Sequence, residues 1–246
     1  MAPAMRHLAL ALVLASASAM AATGCVAAMD DAALEDDGAT AGGKGDDPSA
    51  AAPVRVVVSG FAPFLDYRDN ESGEVARRLA QDVPAGLVVE HHILEVSPAA
   101  IDAFVDEMQA LRPAVVISLG YEGLAQLEER PENILHAGSN GVGAEWAGRA
   151  VVEGGPAELG TDLPTAVVDG ALAGFGWRRT VRTARLDRDY EPTHDGYVCN
   201  YLAYRLAHAF GPDADVAAGF FHVDSRRVTD QLRAVLVAVA EHQRTR

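Results

Sequence analysis

The chain has little cysteine, little positive charge, only one extended apolar run and no internal repeat. Its two cysteines, Cys25 and Cys199, cannot form the evenly paired framework of a disulfide-stapled domain. Lys and Arg number 20 against 35 Asp and Glu, a formal net charge of -15 and a pI near 4.8. That balance excludes nucleic acid or an anionic membrane surface as the main partner, because both attract basic patches. No ligand spacing for zinc occurs. His91 and His92 are neighbours in a strand-like run, so they point to opposite faces and cannot chelate together. The glycine-rich Gly138–Gly143 stretch follows no strand and reads as a loop rather than a phosphate cradle. Trp146 and Trp177 read as packing residues. No metal and no cofactor is expected.

Apolar residues make up 49% of the chain, enough to bury a core. Arg6 and His7 precede the apolar run Leu8–Ala22, the layout of a secretory signal peptide and too short for a confident membrane span. The run closes on Ala22-Thr23-Gly24-Cys25, which resembles a bacterial lipobox, with Ala22 where a larger aliphatic residue is preferred. Residues 1–25 are therefore expected to be a signal peptide of lipoprotein type, with Cys25 the lipidated residue. The alternative is a plain signal peptide cut near Ala19-Met20-Ala21. The expected location is outside the cytoplasm, as a periplasmic or outer-surface lipoprotein touching the membrane only through its lipid. Residues 26–53, rich in Ala, Gly, Asp and Glu, read as a disordered acidic linker. With Cys25 lipidated or removed, Cys199 has no partner thiol in its own chain.

Residues 54–246 read as one globular domain. Val54–Gly60, Leu87–Val96, Ala114–Gly120, Thr180–Leu186 and Val216–Val223 have the composition of strands. Helices are expected over Ser72–Gln81 with Asn70 or Ser72 as cap, over Ser97–Leu111 opening with Pro98, and over Leu163–Phe175 and Asp195–Phe210. A last helix carries Val228, Leu232, Val235, Leu236 and Val239 on one face. The segment Glu122–Gly160 reads as loops with short elements. Alternating strands and helices imply an α/β fold, a three-layer α/β/α sandwich around a mostly parallel sheet. Ligands bind such sheets at the carboxyl ends of the strands, which singles out the loops after Gly60, Gly120 and His222.

In Asp195-Gly196-Tyr197-Val198-Cys199-Asn200-Tyr201, the apolar spacing Val198, Leu202, Leu206 puts Cys199 in the first turns of a helix. Free N–H groups and partial positive charge there favour a thiolate and can hold an oxyanion. A thiolate nucleophile needs an imidazole to protonate the leaving amine. His222, closing the strand Gly219-Phe220-Phe221-His222, is the candidate, with His194 a rival beside the nucleophile helix.

Gly196-Tyr197-Val198-Cys199-Asn200-Tyr201 resembles the nucleophile motif of the pyroglutamyl peptidase I family, and Gly219-Phe220-Phe221-His222-Val223 resembles its histidine strand. Ser59-Gly60-Phe61-Ala62-Pro63-Phe64 is similar to its amino-terminal Gly-Phe-x-Pro-Phe motif, and Asn70-Glu71-Ser72 to its Asn-x-Ser. The four motifs stand in family order across the domain. The resemblance implies Cys199 as nucleophile, His222 as acid/base partner and a glutamate as third residue. Glu128 keeps the family's spacing to Asn133, while Glu129 and Glu132 compete with it. It also implies a peptide substrate blocked by pyroglutamate, with Phe61, Phe64 and Tyr197 as ring-stacking walls. Leu65, Tyr121, Asp195 and Asp224 depart from the family's usual residues and bear on specificity. A related thiol hydrolase with a different amide substrate, or a binding module without turnover, are the other readings. Self-association is left open.

Overall fold

The β-branched runs become strands. The computed structural model describes residues 52–64, 68–122, 125–135, 148–175, 198–211 and 215–246. In it Val54–Phe61 (β1), Leu87–Leu94 (β2), Val115–Tyr121 (β3), Gln126–Glu128 (β4) and Ala217–Val223 (β5) form a sheet in the order β2-β1-β3-β5-β4. The first three and β5 run parallel, and β4 runs antiparallel to β5. Helices Glu71–Gln81 (α1), Pro98–Leu111 (α2), Thr165–Leu172 (α3), Val198–Phe210 (α4) and Thr229–Arg244 (α5) cover both faces. The three-layer α/β/α sandwich expected from the sequence is thus observed. The strand expected over Thr180–Leu186 lies outside the described residues. A strand at β4 was not anticipated, because three residues are too few to display a period of two.

Alternation along each strand sorts the core into two halves. Val56, Val58, Ile117, Leu119, Phe221 and Val223 face the layer built from α1, α3 and α5. Val57, Phe61, Val116, Ala218 and Phe220 face α2 and α4. His222 and Gly120 have the same parity as Phe220 and Val116, so they belong to the second face. Strand β1 connects through α1 to β2, and the chain returns through α2 past β1 to β3. The strand order therefore reverses between the carboxyl ends of β1 and β3, where crevices form in such sheets.

Two helix starts follow local rules. Ser97 caps α2, its Oγ accepting from the Ala100 N–H at 3.2 Å, with Pro98 at the first position. Asn70 caps α1, its Oδ1 accepting the Ser72 N–H at 3.2 Å. The Asn70 and Ser72 side chains do more than cap. Ser72 Oγ donates to Asn70 Oδ1 at 2.7 Å and accepts the Phe61 N–H at 3.0 Å, while Asn70 Nδ2 donates to the Ala62 carbonyl. This clasp ties the end of β1 to the start of α1. Gly60 is required beside it, since a Cβ there would collide with the Ser72 backbone.

Candidate active site

Helix α4 begins at the residue before Cys199, so the thiol lies in the first turn, partly buried. That turn leaves backbone N–H groups without helical partners and carries the positive end of the helix dipole. Both favour the thiolate. The sulphur rests on the sheet: a Cβ built on Gly120 would lie 2.7 Å from Cys199 Sγ and 2.6 Å from Phe220 Cζ. Gly120 at the end of β3 is the register partner of His222 on β5. Neighbouring strands are about 4.8 Å apart, so thiol and imidazole occupy adjacent positions on one face of the sheet.

His222 is 6% exposed, with the Phe220 ring packed edge-on at a centroid distance of 5.2 Å. Its Nδ1 approaches two carboxylates, Glu122 Oε2 at 3.2 Å and Glu128 Oε2 at 3.9 Å. Glu128 comes from β4, whose register sets Gln126 opposite His222 and Glu128 opposite Phe220. Directly opposed residues share a face, so Gln126 and Glu128 join the histidine while Leu127 turns into the other half of the core.

Of the three competing glutamates, the structure brings Glu128 to the imidazole. Glu129 is buried elsewhere in the loop, with its carbonyl accepting from the Thr161 N–H. Glu132 pairs by a backbone bridge with Glu158. Glu122 escaped the sequence reading. The available signal was its place directly after β3, in a loop that the strand-end rule had singled out.

Asn200, next to Cys199, locks this acidic segment onto α4. Its Oδ1 accepts the Glu132 N–H at 2.8 Å, and its Nδ2 donates to the Glu132 and Ile134 carbonyls, each at 2.9 Å. Asn133 in turn donates to the Val152 and Gly155 carbonyls and accepts the Val152 N–H. The spacing from Glu128 to Asn133 is therefore a structural requirement of the loop. Tyr201 fixes α4 against α2 by donating to the Asp102 carboxylate at 3.0 Å; burial pushes its phenol up to about 12, and Asp102 adds to the shift.

The aromatic positions separate. Phe61 is 3% exposed and packs into the half-core under α2 and α4. Phe64 is half-buried beyond the end of β1, and Tyr121, 42% exposed, closes β3. Phe61 is thus largely enclosed at this end of β1. Tyr197, His194 and Cys25 lie outside the described residues. Among the described residues, no group of three or more His, Cys, Asp or Glu side chains converges as metal ligands would. A cleft of about 450 Å³ lined by Pro84, Ala171, Arg233 and Val237 belongs to α3 and α5, across the sheet from the thiol, and includes none of Cys199, His222, Glu122 and Glu128.

A thiol at a helix start, an imidazole beside it and carboxylates behind the imidazole can perform acyl transfer. No family model matches the chain. Curated relatives do. A pyrrolidone-carboxylate peptidase of Cupriavidus necator is 31% identical over 175 residues, covering 68% of this chain and 77% of the relative. One of Streptomyces coelicolor is 31% identical over 176 residues, covering 69% and 77%. The fold is similar to the crystal structure of pyroglutamyl peptidase I from Bacillus amyloliquefaciens, with a TM-score of 0.63, 21% identity and coverage of 77% of this chain and 98% of that one. Pyrrolidone carboxyl peptidase from Thermococcus litoralis superposes with the same TM-score at 17% identity, covering 78% and 96%.

Proposed function

The chain belongs to the pyrrolidone-carboxylate peptidase family, and from that premise we propose that it removes amino-terminal pyroglutamate from peptides, with Cys199 as the nucleophile. The observation that carries the assignment of residues is the Cys199 sulphur above Gly120, one strand from His222.

In the proposed reaction the Cys199 thiolate attacks the pyroglutamyl carbonyl. Backbone N–H groups of the first turn of α4 receive the oxyanion. The bond from the carbonyl carbon to the peptide nitrogen breaks, and the imidazolium of His222 gives its proton to the departing amine. A thioester remains on Cys199. Water then attacks it as His222 takes the water's proton, pyroglutamate leaves, and the thiolate is restored. A carboxylate behind Nδ1 keeps the imidazole oriented and stabilises its charged form. The lactam is neutral and flat, which suits aromatic walls and backbone hydrogen bonds. Phe61, Phe64 and Tyr197 are assigned as those walls.

The test is release of a fluorogenic amine from a pyroglutamyl amide by the soluble domain under reducing conditions, alongside Cys199→Ser. Turnover lost in the variant supports both nucleophile and substrate class. Absence of turnover with a thiol that still alkylates quickly at neutral pH would discard the substrate, and a sluggish thiol would discard the enzyme.

Export and lipidation at Cys25 rest on the signal-like residues 6–25. Mass spectrometry of the mature amino terminus from a membrane fraction tests them: an unmodified chain that keeps residues 1–25 would overturn both.

A further inference from the structure

We infer that Glu122 is a positioning residue that orients the His222 imidazole in the resting enzyme, an inference that rests on the catalytic reading of Cys199 and His222 above. Its Oε2 is the nearer carboxylate oxygen to Nδ1, at 3.2 Å against 3.9 Å for Glu128. The first distance is within reach of a hydrogen bond and the second is beyond it. The contact is an ion-pair approach rather than an aligned hydrogen bond. Catalytic hydrogen bonds commonly align only when substrate is bound.

Glu122 is held where it stands by two anchors. Its backbone N–H donates to the Val223 carbonyl at 2.9 Å, fixing its Cα beside the end of β5. Its Oε2 accepts from Gln126 Nε2 at 3.1 Å. Gln126 is itself buried and sits opposite His222 in the β4–β5 ladder. The side chains of Glu122, Gln126 and His222 therefore form one short polar cluster at the carboxyl end of β5. Glu122 retains 26% side-chain exposure, whereas Glu128 retains 6%. An acceptor on Nδ1 fixes the tautomer and leaves Nε2 to exchange protons with the thiol and the leaving amine. In this division Glu122 accepts the Nδ1–H, and Glu128 stands deeper as a second carboxylate near the ring.

The test compares Glu122→Ala, Glu122→Gln and Glu128→Gln in the full chain. Proton NMR with ring-15N histidine reads the Nδ1-bound proton and tautomer of His222, and steady-state kinetics on the pyroglutamyl amide separate kcat from KM. Glu122→Ala is expected to lose the Nδ1 proton signal and about 10²-fold in kcat, with KM within about twofold of wild type. Glu122→Gln, nearly isosteric, keeps the fold by thermal melting and gives an intermediate loss. Glu128→Gln keeps the signal. If signal and kcat survive in Glu122→Ala and vanish in Glu128→Gln, Glu128 alone positions the histidine and the inference falls. The NMR arm needs no turnover. Should the wild type fail to cleave the amide, loss of the signal in Glu122→Ala still supports this placement, and its persistence overturns it.

Discussion

The sulphur of Cys199 fills the space that a side chain on Gly120 would occupy, 2.7 Å from the position of its Cβ. Phe220 closes the same space from the neighbouring strand at 2.6 Å. Neither contact can yield cheaply, because Phe220 is fully buried and Cys199 is fixed in a helix.

Gly120→Ala is therefore expected to push the thiol off the sheet. Displacements near 1 Å cost about 10²-fold in rate, and overpacking of this kind costs about 1–3 kcal/mol of stability. Kinetics on the pyroglutamyl amide and a urea titration read the two effects separately. Activity within threefold of wild type would show that the site is not organised around this contact.

Asn200→Ala removes one acceptor and two donors that serve partly buried backbone groups of Glu132 and Ile134. Orphaned buried polar groups cost about 1–3 kcal/mol each, and shared relaxation makes about 2–4 kcal/mol the expected total. Asn200→Asp keeps the acceptor but sets a carboxylate against two carbonyl oxygens, so it should be no more stable than the alanine variant. Urea midpoints check the order.

Ser72→Ala breaks the clasp between β1 and α1. The Phe61 N–H loses its acceptor and Asn70 Oδ1 loses a donor, both in a buried setting. A loss of about 1–3 kcal/mol is expected in chemical denaturation. The Cys199 alkylation rate should change by less than twofold, because the clasp belongs to β1 and the thiol to α4.

Asp162 gives a dependence on pH. Burial pushes its carboxyl up to about 7, with a backbone hydrogen bond from Gly211 partly opposing the shift. One of its oxygens has no hydrogen-bond partner among the described residues. The folded protein then holds a proton that the unfolded chain releases near 3.8, so this group's contribution to stability falls as pH rises from about 4 through about 7. Asp162→Asn removes the burden. At pH 8 it should be more stable than wild type by about 1–2 kcal/mol, a value reduced from the full shift because the group is partly solvated. The advantage should shrink by pH 5. Equal stability at pH 8 would contradict the buried-carboxyl account.

Much of this architecture was legible because the responsible interactions are local. The β-branched runs at Val54 and Val115 announce buried strands, and Ser97-Pro98 and Asn70 announce helix starts. The expectation that Cys199 works with His222 rested on the family motifs around both residues, because a single thiol and a single imidazole specify a site weakly from local sequence. What remained hidden depends on register. Nothing in Gln126-Leu127-Glu128 reveals an antiparallel partner, and only that pairing decides which of three nearby glutamates meets the imidazole. Glu122 was hidden for the same reason: its neighbour is set by the crossing of β5, not by its own sequence context. Phe61, expected as a pocket wall from its place at a strand end, packs in the half-core under α2 and α4.

Strand β3 ends at Tyr121 and strand β4 begins at Gln126, on the far side of β5 in the sheet. Glu128 is held by the β4–β5 ladder, and Glu122 by its backbone bond to the Val223 carbonyl and by the Gln126 amide. An insertion of two or three residues between Tyr121 and Glu122 would leave every named side chain in the sequence, yet carry the Glu122 carboxylate away from the imidazole. In this scaffold the number of carboxylates beside His222 is thus a property of loop length. It can be altered by insertion or deletion without replacing a single active-site residue, a route to retuning the enzyme that substitution scanning would never sample.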